Sequence, residues 1–425
     1  MDNQKEYEKR CKAIQLYKDG FGFNKILQLV QRSGVWLSKW LKRFKEHGFK
    51  GLKDRSRIPK RIWRKTSEYT VKKILSIREE LESHKTRRSA FSGIGAEVIQ
   101  WELEQRKIRN IPSISTIANI LSRYGKTGKI KPKRNSNNQP YSYIKAEKMG
   151  NLHQTDLVGP RHLRGPKGVT RFYSFHTMDV AGHTAFTSQF TDKQTISLCK
   201  HLIETWRFIG LPEVSQMDNE MAATGGGRYP HSISHVIRLH LFLGIHLVFI
   251  PQGEPGRNAS IESFNELWQE RVIRRHNCPN LVSLKRTSER FMQYYHYKKP
   301  HRRLTQKEHS TRFPGILRDN LWKSLRHLPK SFALEKYIDN GHLNLPIAKG
   351  KFSFIRKVDS NGRIEVNGST YFIRRKLEGQ YIIATVFTHK KRLVVKQERK
   401  IIKSFFFPIK GHIVSPLLPI TKRKH

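Results

Sequence analysis

Hydrophobic positions in residues 10–48 recur at helical spacing: Ala13, Leu16 and Tyr17, then Ile26, Leu27 and Val30, then Val35, Leu37, Trp40, Leu41 and Phe44. Gly20 and Gly34 interrupt the stripe, so the spacing predicts three helices joined by short turns, the pattern of a helix-turn-helix unit. The third helix sets Lys39, Lys42 and Arg43 beside its apolar stripe, which suits a helix lying in a major groove. A small helical bundle with a solvated basic face has the same pattern. A second helical block is predicted over about 68–124, with Ser113 and Ser115 as candidate N-caps of its last helix. Between the blocks, "FKGLKDRSRIPKRIWRK" reads as a basic connector that includes Arg57. Residues 126–138 hold Lys131, Lys133 and Arg134 without acids or periodicity, which fits either a linker that tracks phosphates or an ordinary flexible one.

The period changes near residue 150. "GNLHQTDLVGP", "TRFYSFHTMDV" and "HTAFTSQFTD" read as three strands, followed by a helix over "KQTISLCKHLIETWRFIG". A strand at "LPEVSQMDNE", a helix at "SISHVIRLHLFLG", a strand at "IHLVFIP" and a helix at "NASIESFNELWQERVIRR" come next. Three strands followed by alternating helix and strand predict an α/β domain with a mixed sheet. Residues 351–407 switch to short alternating runs split by Asn361-Gly362 and Asn367-Gly368, and Asn-Gly suits tight hairpins. Five such strands predict a small barrel. The resulting organisation is a helix-turn-helix domain at 1–60, a second helical domain at 61–125 and a basic linker at 126–148. An α/β core at 149–315, a connector at 316–348, a β-barrel at 349–407 and a basic tail at 408–425 complete it.

Composition sharpens the choice of partner. The 425 residues include 82 Lys and Arg against 34 Asp and Glu, a formal net charge of +48. A polyanion is the implied partner, because each phosphate neutralised by a cationic side chain releases a counterion. The three cysteines, Cys11, Cys199 and Cys278, are odd in number and widely spaced, which argues against a disulfide framework. The polar N-terminus and the short apolar run at 241–250 predict neither a secretory signal nor a membrane span. An intracellular protein with no membrane partner is expected.

In a chain this poor in acids, Asp156, Asp218 and Glu262 fall where the α/β pattern places strand or helix ends. Carboxylates brought together repel unless a cation lies between them. Mg²⁺ prefers carboxylate oxygens, water and substrate phosphate. Two such ions about 4 Å apart serve phosphoryl transfer. Each acid by itself also reads as an ordinary strand-end or solvated helix residue.

The stretches "HQTD", "MDNE" and "PQGEPGRNASIESFNELWQE" resemble the integrase-core transposases, relatives of retroviral integrases. The last matches most specifically, through Pro251, Gly253, Pro255, Asn258, Glu262, Phe264 and Asn265. "YYHYKKPHRRL" is similar to a further family segment, with His296 where Asn is usual and Lys299 in place of Arg. "LKDRSRIP" and the helical blocks are similar to bacterial insertion-sequence members. Overall the resemblance spans about residues 10–315. It implies a ribonuclease-H-like core between the N-terminal all-α domains and an SH3-like C-terminal barrel. Asp156, Asp218 and Glu262 then become catalytic metal ligands for Mg²⁺ or Mn²⁺, with two ions. Arg257 lies near DNA, Asn258 lies near DNA or the site, Asn265 orients the helix or a phosphate, and Asp179 is structural. Glu220 replaces a usual Gly, and residues 222–232 form an insert.

The implied function is a DNA transposase that binds element ends and catalyses strand cleavage and transfer. It would act as a homo-oligomer on double-stranded end and target DNA, in a bacterial cytoplasm at the nucleoid. A non-catalytic DNA-binding regulator derived from a transposase remains the alternative. A ribonuclease-H-type nuclease fits two helix-turn-helix blocks poorly.

Overall fold

The computed structural model describes residues 2–55, 66–128, 144–166, 168–219, 230–251, 254–305, 311–398 and 400–420. The chain forms two compact units, Met1–Ser67 and Glu68–His425. In the first, α1 (Asp2–Lys18), α2 (Phe23–Val30) and α3 (Gly34–His47) follow the predicted stripe. Ala13, Ile26, Val30 and Leu37 meet in its buried centre, with Ile14, Trp40 and Leu52 packing beside them. The turn into α3 is set by Ser33, whose hydroxyl accepts the Trp36 N–H at 3.3 Å. That bond satisfies one of the amide donors orphaned at a helix start. Ser33→Ala should therefore cost about 1 kcal/mol, read as reduced hydrogen-exchange protection of the α3 amides in the full chain.

The second unit opens with α4 (Glu68–Ser83), α5 (Ala96–Gln105) and α6 (Ile114–Arg123), packed through Ile74, Ile77, Leu81, Ile99, Leu103, Ile117 and Leu121. Ser113 is the N-cap of α6, accepting from Thr116 N. This block is tied to the α/β core by side chains on both sides. Phe91, in the loop after α4, is buried against Phe291 and His276. Arg275 reaches the Ser92 carbonyl at 2.9 Å, and Arg271 donates to the Phe91 carbonyl.

Strands β1 (Leu152–Gly165), β2 (Gly168–Asp179) and β3 (Ala185–Phe190) form an antiparallel meander. Helix α7 (Thr195–Ile209) then crosses to β4 (Val214–Met217), and α8 (His235–Phe242) crosses to β5 (His246–Phe249). β4 pairs parallel to β1 and β5 parallel to β4, giving the mixed sheet that the pattern predicted. Helices α9 (Ala259–Trp268) and α10 (Leu281–Tyr297) come after β5.

The period of two along β1 divides its residues between two layers. Thr155 faces α7, where its hydroxyl joins Thr177 at 2.8 Å and Thr177 joins His201 at 2.9 Å. Gln154 and Asp156 face α9.

The C-terminal region departs from the expected barrel. Strand Lys351–Lys357 pairs parallel to β5, Leu247 opposite Phe352 and Phe249 opposite Phe354. Strands Tyr381–Phe387, Arg392–Gln397 and Lys400–Phe406 continue outward from it, so one nine-stranded sheet runs from β3 to Lys400–Phe406. Among residues 351–407, only the hairpin Arg363–Val366 with Ser369–Phe372 stands as a separate pair. Its turn is Asn367-Gly368, both residues at positive φ, as the Asn-Gly signal requires. Alternation and turn residues report local pairing; they carry no record of which distant edge accepts the first strand. Here the open edge of β5 accepts it.

The 316–348 connector and residues 408–420 of the tail are likewise built into this core. Leu328, Phe332, Leu334 and Leu345 are buried in it, and Ile413–Val414 pairs with Ile347–Ala348. The final residues of the tail, 421–425, lie outside the described residues.

Candidate active site

Asp156 lies midway along β1, Asp218 directly after β4, and Glu262 in the first turn of α9. β1 and β4 are hydrogen-bonded neighbours, which brings the first two acids to adjacent positions in the sheet. Two glutamines hold α9 against those strands. Gln154 accepts the Ile261 N–H at 3.3 Å, and Gln216 donates to the Arg257 carbonyl at 3.1 Å and to Asn258 Oδ1 at 2.8 Å. Each glutamine sits two residues before an aspartate, in "QTD" and "QMD", so the strand period puts amide and carboxylate on one face. Sequence reasoning missed both glutamines. The repeated Gln-x-Asp was the available signal.

The three acids are half-buried and feel one another. Burial raises the Asp156 carboxyl above its ordinary value. The Leu157 backbone N–H opposes that rise, the Asp218 charge adds to it, and the Asn265 amide opposes it. Glu262 is raised by burial first, then by the charges of Asp156 and Asp218. Asn265, one turn beyond Glu262, donates to Asp156 Oδ2 at 2.6 Å. The donor set suits a hard divalent cation in chemistry: oxygen only, negatively charged, with mutual repulsion that such an ion would relieve. Its spacing is not that of a closed cage. Among the described residues no group of three His, Cys, Asp or Glu is arranged to hold an ion.

The Asp156 and Glu262 carboxyls ionise less readily folded than unfolded. Their contribution to stability is fully present below the ordinary carboxylate range and is lost as pH rises through it toward the raised folded values. In EDTA, the melting temperature of Asp156→Asn should therefore move upward relative to wild type as pH rises from about 4. Paired thermal melts across pH would check this. A constant difference would contradict the buried-repulsion account.

The expected DNA contacts divide sharply. Lys39 and Lys42 lie on α3, and Val35, near its start, is 82% exposed. Arg43 instead donates to the Lys53 carbonyl at 2.9 Å and packs over Trp40. Arg257 and Asn258 are 4% and 2% exposed. Arg257 pairs with Glu254 at 2.5 Å and lies over the Tyr381 ring, while Asn258 takes the Gln216 bond. Both brace the approach to α9 from inside. Arg57, Lys131, Lys133, Arg134 and Glu220 lie outside the described residues, as do residues 222–229 of the insert. Asp179 accepts N–H bonds from Gly150 at 2.7 Å and Gly182 at 2.6 Å, closing the turn after β2. His296 is buried and accepts from Ala185 N.

The architecture is thus a mixed α/β sheet, with Asp156 on one strand, Asp218 directly after its neighbour and Glu262 on a following helix, preceded by two helical blocks. The integrase core domain family matches residues 243–308, which contain Glu262. Homeodomain-like domain families match residues 5–53 and 36–121. The chain is thus similar to an integrase core domain over residues 243–308 and to homeodomain-like domains ahead of it.

Among solved structures, the simian T-cell lymphotropic virus intasome in complex with PP2A regulatory subunit B56 gamma is 10% identical, with 77% of this chain and 96% of that chain covered and a TM-score of 0.33. The HTLV-2 integrase catalytic core domain in complex with magnesium is 12% identical, with 41% and 99% covered and a TM-score of 0.30. The BIV integrase catalytic core domain is 10% identical, with 41% and 97% covered and a TM-score of 0.29. These overlaps are too loose to define the fold, which rests here on strand order and pairing. Among the described residues no helix is long and apolar enough to cross a membrane.

Proposed function

We propose that this chain is a DNA transposase of the bacterial insertion-sequence type, acting on chromosomal DNA in the cytoplasm. The supporting observation is the placement of Asp156, Asp218 and Glu262 on neighbouring elements of an integrase core, within electrostatic reach of one another. The helix-turn-helix blocks bind the element ends, with α3 offering Lys39 and Lys42 to the duplex. Mg²⁺ or Mn²⁺, as a pair of ions held by the three acids, would supply charge neutralisation at the phosphate and activation of the attacking hydroxyl. Asp156 and Asp218 fix the strand side of the pocket, and Glu262 approaches from α9. Asn265 orients Asp156, and Gln154 and Gln216 keep α9 seated. Joining two ends in one complex calls for a homo-oligomer on DNA.

A non-catalytic DNA-binding regulator is the second reading, favoured by one observation, the absence of a ready three-ligand group among the described residues. Purified full-length protein, incubated with DNA carrying the gene and its flanks in Mg²⁺ or Mn²⁺, separates them. Transposase activity yields nicks with 3′-hydroxyls at the element ends, then joined products. End binding with no cleavage in either metal would leave the regulator.

A further inference from the structure

Behind Asp156 runs a buried chain of hydrogen bonds that the reaction chemistry does not by itself require. Asn265 presents its amide nitrogen to Asp156 Oδ2, and its amide oxygen meets His176 Nδ1 at 2.6 Å. An amide oxygen can only accept, so His176 must donate from Nδ1. The neutral ring then offers Nε2 as an acceptor, and the Ser174 hydroxyl lies 2.7 Å from it. Ser174 in turn accepts from Gln189 Nε2 at 3.1 Å. Every donor along Gln189, Ser174, His176 and Asn265 thus points toward the carboxylate. The opposite amide orientation would set an oxygen against Asp156.

The chain is built into the fold. Asp156 and His176 are directly opposed in the β1–β2 ladder, Gln189 belongs to β3 and Asn265 to α9. Ser174, His176, Gln189 and Asn265 are all buried. The His176 ring also packs edge-on against Trp268 at 4.7 Å and Phe264 at 5.4 Å, both on the helix that carries Glu262. Burial holds the imidazole well below its ordinary value, at about 4, so it is neutral near pH 7 with one N–H to place.

We infer that His176 is a positioning residue that sets Asp156 and the Glu262-bearing helix in register for a divalent cation, acting through Asn265. This rests on the three acids being metal ligands. Outer-shell partners of this kind, when removed, typically cost about 10–100-fold in metal affinity.

The test is Mn²⁺ affinity of the full-length protein without DNA, measured by electron paramagnetic resonance of free Mn²⁺. His176→Phe keeps a flat ring against Trp268 and Phe264 but has no nitrogen, and should weaken Mn²⁺ about 10–100-fold. His176→Asn places an amide nitrogen at the Nδ1 position and should restore binding to within a few-fold of wild type. Should His176→Phe not fold, Ser174→Ala removes the hydroxyl that holds the ring at Nε2, loosens the His176–Asn265 contact and should weaken Mn²⁺ several-fold. Wild-type affinity in a folded His176→Phe or in Ser174→Ala overturns the inference while leaving the metal reading intact. A wild-type protein that binds no Mn²⁺ overturns the metal reading itself, and this inference with it.

Discussion

Asp156→Asn is expected to lower metal-dependent strand cleavage by about a thousandfold or more while leaving end binding unchanged. Metal-ion catalysis supplies several kcal/mol of charge stabilisation at a phosphoryl centre, and each 1.4 kcal/mol is a factor of about ten in rate. The substitution removes one unit of charge and almost no volume. An asparagine oxygen can still accept from Asn265, so the β1–α9 contact persists. End binding by fluorescence anisotropy should match wild type, because the helix-turn-helix surfaces are untouched. The same variant should be at least as stable as wild type in EDTA at neutral pH, since a half-buried, mutually repelling carboxylate is gone. That combination, a dead but stable and DNA-competent protein, distinguishes lost chemistry from lost folding. Cleavage at the wild-type rate would remove Asp156 from the mechanism.

Phe354→Ala should destabilise the whole second unit by about 3–5 kcal/mol. Phe354 is fully buried on the strand beside β5 and stacks on Phe249 at 5.0 Å between ring centroids. Its cluster includes Trp206, Leu247 and Phe249 from the core as well as Ile382, Val386 and Val395 from the C-terminal strands. A cavity opened at that seam is therefore felt on both sides. Urea unfolding of residues 68–425 followed by circular dichroism should show one transition moved to lower urea. A C-terminal module folding by itself would instead give two transitions, only one of them shifted.

The helices were legible because their information is local. A 3.6-residue stripe, a serine before the stripe and a glycine between stripes suffice, so α2, α3 and α6 fall close to where periodicity puts them. Strands β1 to β5 were equally readable as elements. The acids could be singled out, but their neighbours could not. Arg257 and Asn258 looked like outward-facing polar residues before a helix, yet they are consumed by Glu254, Tyr381 and Gln216. Glu254 is local, but Tyr381 and Gln216 lie on distant strands, and no spacing rule joins those to residues 257 and 258. His176 was an unremarked residue in a β-rich run; its role comes from a ladder that sets it opposite Asp156 and from a helix delivered about 90 residues later.

By itself, the sequence determined the helical blocks, the order of strands and helices in the core and the basic character of the chain, and it singled out three acids that fall on neighbouring elements. Each of these follows from hydrophobic period, turn chemistry or side-chain charge, which are properties of short segments. Only the tertiary structure decided that the C-terminal strands join the β5 edge, that Phe91 docks the second helical block on the core, and that buried glutamines, His176 and Asn265 support the acids. Those choices depend on which unpaired edges and unsatisfied polar groups meet once the chain is compact. Burial makes most such groups find a partner, and the partner is specified by three-dimensional proximity.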